Sequence, residues 1–199
     1  MKLATLALAL GLAAPAFAAP ISTVDFEKAW DYGQTVDDTY AALGVSFVNV
    51  IAFSNGDGLG PLPTGDYYVG APSMMGVAMA QLDGTTNTSA FMNVLNGVSG
   101  GLSFFYSSPV DVALAVEAYS GLNGTGTLLG SISLTANSDD YTAWSQAVLN
   151  FGGTAMSFSL TNAANVVAFD NISSVPEPSS AALMLTAVGV LAAVRRRRS

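Results

Sequence analysis

Apolar residues along this chain come in short runs separated by clusters of Gly, Ser, Thr and Asn, except near the two ends, where they are almost continuous. Short apolar runs bounded by turn-forming residues are the pattern of strands. They predict strands over 23–27, 45–53, 74–82, 90–95, 102–107, 112–119, 127–134, 147–151, 155–161 and 166–172. Several runs alternate with period two. Leu102, Phe104 and Tyr106 then share a face, as do Val112, Leu114 and Val116, and Met156, Phe158 and Leu160. Asn55-Gly56-Asp57-Gly58, Asn123-Gly124 and Gly152-Gly153 read as turns because these residues tolerate positive φ. One short helix is expected over 36–43. Together these elements predict an all-β fold, an antiparallel β-sandwich of jelly-roll type. A β-helix is the alternative, although no fixed repeat period is visible.

The two ends follow different rules. A basic Met1-Lys2, an apolar stretch over 3–12 and the small-residue site Ala16-Phe17-Ala18 form a signal helix over 1–18, cut by signal peptidase after Ala18. Near the other end, Pro176 and Pro178 each fix φ and remove a backbone donor, so the chain must be extended there. Residues 179–194 carry no charge and as a helix would span about 24 Å, slightly less than a ~30 Å hydrocarbon core. Interfacial serines and snorkelling arginines cover the difference. Arg195, Arg196, Arg197 and Arg198 form a positive-inside stop signal, since each would cost roughly 2.5–3.5 kcal/mol at the centre of a membrane helix. Three segments follow: a signal peptide over 1–18, a passenger over 19–174, and a tail over 175–199 whose transmembrane helix covers 179–194.

Charge narrows the partners. The chain has 14 acidic and 6 basic residues; Glu177 lies in the tail, and Lys2 and the four arginines lie outside the passenger. The passenger therefore holds 13 acids against Lys28, a net charge of −12. A phosphate backbone would be repelled, which excludes nucleic acid. The absence of cysteine rules out disulfides, and the absence of histidine removes Ser-His-Asp and Cys-His chemistry and histidine-bound zinc.

The tail has a familiar order. Val175-Pro176-Glu177-Pro178-Ser179-Ser180, a short Ala/Leu/Val helix and a terminal arginine cluster closely resemble the PEP-CTERM sorting domain of Gram-negative bacteria. The same tail is also described as the C-terminal segment of ice-binding proteins, a label that carries no sign of ice binding here. The resemblance implies recognition by exosortase at Val175, Pro176, Glu177, Pro178 and Ser179. It further implies an inner-membrane precursor held by the C-terminal helix, and a final place on the cell surface or in an exopolysaccharide biofilm matrix. The stretch from Gly121 through Phe151 to Ile172 is similar to passenger domains of PEP-CTERM proteins and, more loosely, to jelly-roll carbohydrate-binding modules.

In such modules the first and last strands are neighbours and often share a structural Ca²⁺. The resemblance thus implies a calcium site from Asp25, Glu27, Asp170 and Asn171, all oxygen donors of the kind Ca²⁺ requires; the alternative is a set of solvated acids at a strand end. Asn55-Gly56-Asp57-Gly58-Leu59-Gly60 lacks the spaced acids of a calcium loop and reads as a turn. Tyr67 and Tyr68 follow a loop and are the candidates for sugar stacking, among the wider aromatic set Trp30, Tyr32, Tyr40, Tyr141 and Trp144. Trp144 is expected in the core. Glu27 and Glu117 are the passenger's only glutamates, and a glycosidase needs two carboxylates. The favoured expectation is nonetheless non-catalytic: a secreted surface or matrix protein with a polysaccharide-binding β-sandwich. A structural or adhesive protein without a defined ligand stands beside it, and a glycosidase comes third.

Overall fold

The computed structural model describes residues 20–54 and 70–175. The expected signal and transmembrane helices, and the Asn55–Gly60 turn, lie outside these residues. Among the described residues the regular structure is nine strands and three single 3₁₀ turns, and every strand pairing is antiparallel.

The strands are β1 (Gln34–Thr35), β2 (Val45–Val48), β3 (Val50–Ser54), β4 (Gly76–Ala80), β5 (Phe91–Ser107), β6 (Val112–Tyr119), β7 (Leu128–Leu134), β8 (Ser145–Ser159) and β9 (Ala168–Val175). Their order is β1-β3-β4-β9-β5-β8-β6-β7, with β2 joined to β5. The non-consecutive neighbours β4-β9-β5 place the last strand in the middle of the sheet, between the fourth and the fifth.

Two glycine-rich stretches behave differently from their expected role. Val98-Ser99-Gly100-Gly101 lies between two predicted strands, yet the chain runs through it as one 17-residue strand. Gly97 and Gly100 take φ of 68° and 92°, and the register shifts at this point. Glycine here makes a bulge that bends the strand without reversing it. Before the bend β5 lies against β2, and after it against β9. Gly153, at φ 85°, likewise sits inside β8, joining the two strands predicted over 147–151 and 155–161. The predicted strand 45–53 divides at Asn49 (φ 55°): β2 before it pairs with β5, while β3 after it pairs with β1 and β4.

The helix expected over 36–43 contracts to a 3₁₀ turn, Ala41–Leu43. Val36 donates its N–H to Val50 and the Asp37 carbonyl accepts from Phe47, which ties the first part of that segment to the sheet. In β6, Leu114 has φ 50° and is 47 % exposed while Ala115 is buried. The expected Val112–Leu114–Val116 face is broken by this irregularity.

One large core gathers inward side chains from β2 to β9, with Phe26, Phe104, Phe158 and Phe169 the largest fully buried groups. Burying such side chains contributes roughly 1.5–3 kcal/mol each. A smaller cluster of Ile51, Phe53, Val77, Met79 and Ala168 covers the opposite face of β3 and β4, capped by Ala71, Tyr141 and Trp144. Half of Trp144's expected role holds: it is part-buried, and its indole N–H donates to the Tyr141 carbonyl at 3.1 Å.

Candidate cation site and sorting tail

The N-terminal segment is held to β9 by one β-bridge, Val24 to Ile172, with N···O distances of 2.8 and 2.9 Å, and by the Ile21 N–H, which donates to Ser174 Oγ at 2.9 Å. The strand predicted over 23–27 is no longer than this because Phe26 turns to φ 53°, a costly conformation for an aromatic residue. That turn sends the Phe26 ring into the core against Tyr40 and Phe47. It also aims the Phe26 carbonyl at the Trp30 indole N–H, 2.8 Å away. Gly76 makes the approach possible: a Cβ there would stand 2.4 Å from the Phe26 carbonyl oxygen and 2.9 Å from the Trp30 ring.

Asp25 and Glu27 flank this turn, and β9 brings Asp170 to them. Asp170 is fully buried. Its carboxylate accepts from the backbone N–H of Ser73 (2.8 Å) and Asn171 (2.7 Å), and contacts Ser73 Oγ at 2.7 Å. Ser73 Oγ also lies 2.7 Å from the Asp25 carbonyl oxygen. The hydroxyl has one proton and two acceptors, so it cannot donate to both while Asp170 is ionised. Protonation of Asp170 removes the conflict. Burial, opposed by the donors from Ser73 and Asn171 and aided by the charge of Glu27, raises the Asp170 pKa to about 6. Glu27 in turn accepts from the Met75 N–H at 2.6 Å.

Tyr40 completes the group. Its Oη is buried without a hydrogen-bond partner. Burial first, then the charges of Asp25, Asp170 and Glu27, push its pKa above the usual value; the Phe26 amide, close by but outside hydrogen-bond geometry, acts the other way. Lys28 lies with Nζ 5.6 Å from the Tyr40 ring centre and 5.8 Å from that of Trp30. Acidic groups beside an unpartnered oxygen are chemically suited to a hard cation.

The expected calcium residues are therefore neighbours in part. Asp25, Glu27 and Asp170 come together, and Asn171 (φ 48°) contributes its backbone N–H to Asp170. They do not close into a finished ligand set. Among the described residues no three His, Cys, Asp or Glu side chains are placed to hold a metal ion. Ser73 and Tyr40 were not expected here: a lone loop serine carries no sequence signal, and Tyr40 was grouped with sugar-stacking aromatics. Trp30 and Tyr40 are instead core, while Tyr32 is 61 % exposed. Tyr67 and Tyr68 lie outside the described residues. Glu117 is on β6, where its Oε2 accepts from Tyr119 Oη at 3.4 Å.

Of the tail, Val175 is described and is the last residue of β9, paired with Gly101. Pro176, Glu177, Pro178, Ser179 and the four arginines lie outside the described residues. In sequence, residues 174–198 match the PEP-CTERM protein-sorting motif. No curated protein matches the chain. Among solved structures it is similar to the K1 cleaved adhesin domain of Lys-gingipain from Porphyromonas gingivalis W83, at 11 % identity and TM-score 0.44, covering 76 % of this chain and 95 % of that one. The K3 cleaved adhesin domain of the same protein is similar at 16 % identity and TM-score 0.39, covering 78 % and 98 %. The CBM22-1–GH10 modules of Clostridium thermocellum xylanase 10B, crystallised with xylohexaose, are similar at 9 % identity and TM-score 0.42, covering 81 % of this chain and 29 % of that one. The sorting motif implies an exported precursor, anchored in the membrane of a Gram-negative bacterium and processed by exosortase. The chain thus carries a PEP-CTERM protein-sorting motif over residues 174–198, directly behind an antiparallel β domain.

Proposed function

We propose that this protein is a non-catalytic component of the cell surface or extracellular matrix, and that its jelly-roll passenger binds polysaccharide after exosortase processing. The observation that carries the reading is the match of residues 174–198 to the sorting motif, joined without a spacer to the last strand of a strongly acidic β domain. Such a charge keeps an exported domain soluble and favours uncharged partners or cations over nucleic acid. The acidic junction adds a structural role for Ca²⁺. Asp170 and Glu27 would bind it, with Tyr40 Oη and the Asp25 carbonyl as neutral oxygens, once Glu27 releases the Met75 N–H. The ion would supply positive charge between carboxylates that now repel one another.

The test has two arms. Replacing Pro176, Glu177 and Pro178 by alanine in the host should leave uncut precursor in the inner membrane; normal release of that variant would remove exosortase from the account. Wild-type protein should then be retained saturably by the host's own exopolysaccharide. Without retention, a structural or adhesive surface protein without a ligand is the better reading. Release of reducing sugar from that polymer would instead favour a glycosidase.

A further inference from the structure

Away from the acidic junction, the sheet edge formed by β1, β3 and β4 carries a groove of about 540 Å³, within the size range of small-ligand sites. Its residues follow from the register. Thr35 lies opposite Ile51, and Gln81 donates its backbone N–H to the Asn49 carbonyl at 2.9 Å, so these side chains gather on one face. Ile51 and Leu82 give the groove an apolar floor. Thr35, Asn49, Gln81 and Asn87 give it a neutral polar wall.

The polar groups differ in what they have left to offer. Asn49 is fixed at φ 55° and its Nδ2 already donates to the Ser89 carbonyl at 2.8 Å, which leaves its side-chain oxygen as an acceptor. Gln81 and Asn87 are exposed, and neither side-chain amide is used within the described protein. Each offers a donor and an acceptor to whatever enters. The one charged residue in the lining, Asp83, has its carboxylate filled by Thr85 N–H, Thr86 N–H, Asn87 N–H and Thr86 Oγ1 at 2.8, 2.9, 2.9 and 2.6 Å. Those donors hold its pKa well below the usual range. Asp83 is therefore an anion at working pH whose role is to shape the loop, and its charge disfavours phosphate or uronate.

An aromatic stands at the end of this face. Tyr32 precedes the groove residue Gly33 and is 61 % exposed, yet its ring is braced edge-on against Phe53 at 5.6 Å and 70°. Phe53 lies two residues along β3 from Ile51, about 7 Å away. A held, exposed aromatic ring beside a line of unused amides over an apolar floor matches a ligand with an apolar C–H face and many neutral hydroxyls.

We infer that this groove binds a neutral polysaccharide chain, with a sugar ring on Tyr32 and its neighbours' hydroxyls on Gln81, Asn87 and Asn49. The inference rests on the polysaccharide-binding reading above and gives it a location. It is independent of the acidic junction, so binding in the groove does not need Ca²⁺.

The experiment is affinity electrophoresis of the full chain in a detergent without a sugar headgroup. Gels contain dextran, galactomannan or hydroxyethylcellulose as neutral probes, and alginate as the acidic one. Retardation by at least one neutral polymer is expected, with or without EDTA. Tyr32→Ala, and separately Gln81→Ala with Asn87→Ala, should each weaken it at least about fivefold, the worth of one net hydrogen bond or more. Ser131→Ala on β7 should leave it unchanged. All four positions are exposed, and a thermal melt of each variant checks that the fold is intact. Wild-type retardation that the groove variants share in full would overturn the groove and leave polysaccharide binding standing. Retardation by alginate alone would overturn the neutral ligand. Retardation by none of the four would overturn the groove together with the reading it rests on.

Discussion

The acidic junction and the β1–β3–β4 groove are both built around β4, but they treat polar groups in opposite ways. At the junction Asp170 is buried, Asp25, Glu27 and Ser73 are half-buried and held in hydrogen bonds within the protein, and the one oxygen left over, Tyr40 Oη, is sealed inside. In the groove the amides of Gln81 and Asn87 are exposed and uncommitted. Buried polar groups that share donors affect folding free energy, because each lost partner leaves another unsatisfied. Exposed unused ones change little on folding and are available for a ligand. Mutations at the junction should therefore be read in melts, and mutations in the groove in affinities.

The strongest way to break this contrast is Gly76→Ala. The new Cβ would collide with the Phe26 carbonyl and the Trp30 ring, and neither backbone nor indole can move without disturbing the core. A loss of about 3 kcal/mol is expected, the upper part of the usual cost of overpacking. Urea denaturation would measure it. A change within 0.5 kcal/mol, the usual range of surface substitutions, would mean that the 24–30 segment is not locked to β4.

Next comes the pH dependence of the metal-free protein. The folded Asp170 pKa of about 6 lies above its ordinary value of 3.8. Its contribution to stability is then full below about pH 4 and is lost as pH rises through 6. The loss approaches about 3 kcal/mol. In EDTA the urea midpoint should therefore fall between pH 5 and pH 8. Calcium should restore it at pH 8, where the carboxylate is ionised, and do little at pH 5. Asp170→Ala should abolish both the slope and the calcium response. A calcium response that survives in Asp170→Ala would place the ion elsewhere.

How far could the sequence alone anticipate these two regions? The strand over 112–119 has the bounds expected of it, because polar breaks define both ends. Strands β5 and β8 were each read as two, since glycine reports positive φ but not whether the chain reverses or only bends; that depends on the partner strands on either side. The meeting of Asp25, Glu27 and Asp170 followed from an expectation that first and last strands are neighbours. Ser73 did not, because it enters from a loop 48 residues beyond Asp25 and nothing local marks it. The groove was invisible for the same reason. Thr35 comes from a two-residue strand that no apolar run announces, and it meets Gln81 only through the shared neighbour β3. Tyr32 stood in the aromatic set, but only burial distinguishes it from Trp30 and Tyr40.

Ser73→Ala should have the smallest effect, and its sign is the informative part. In the ionised protein Ser73 Oγ serves one acceptor and disappoints the other, so deleting it at pH 8 removes about one net hydrogen bond, on the order of 1 kcal/mol. At pH 5 Asp170 carries a proton of its own and can donate to Ser73 Oγ, which then donates to the Asp25 carbonyl. Both contacts are made there, and the same deletion should cost roughly 2 kcal/mol. A cost that grows as pH falls from 8 to 5 would tie the hydroxyl to Asp170 protonation. A cost that is flat across this range would mean that Ser73 only packs, and would leave the buried carboxylate to be explained by its two backbone donors. Neutral-polymer binding in the groove should be the same in this variant at either pH, which keeps the two regions experimentally separate.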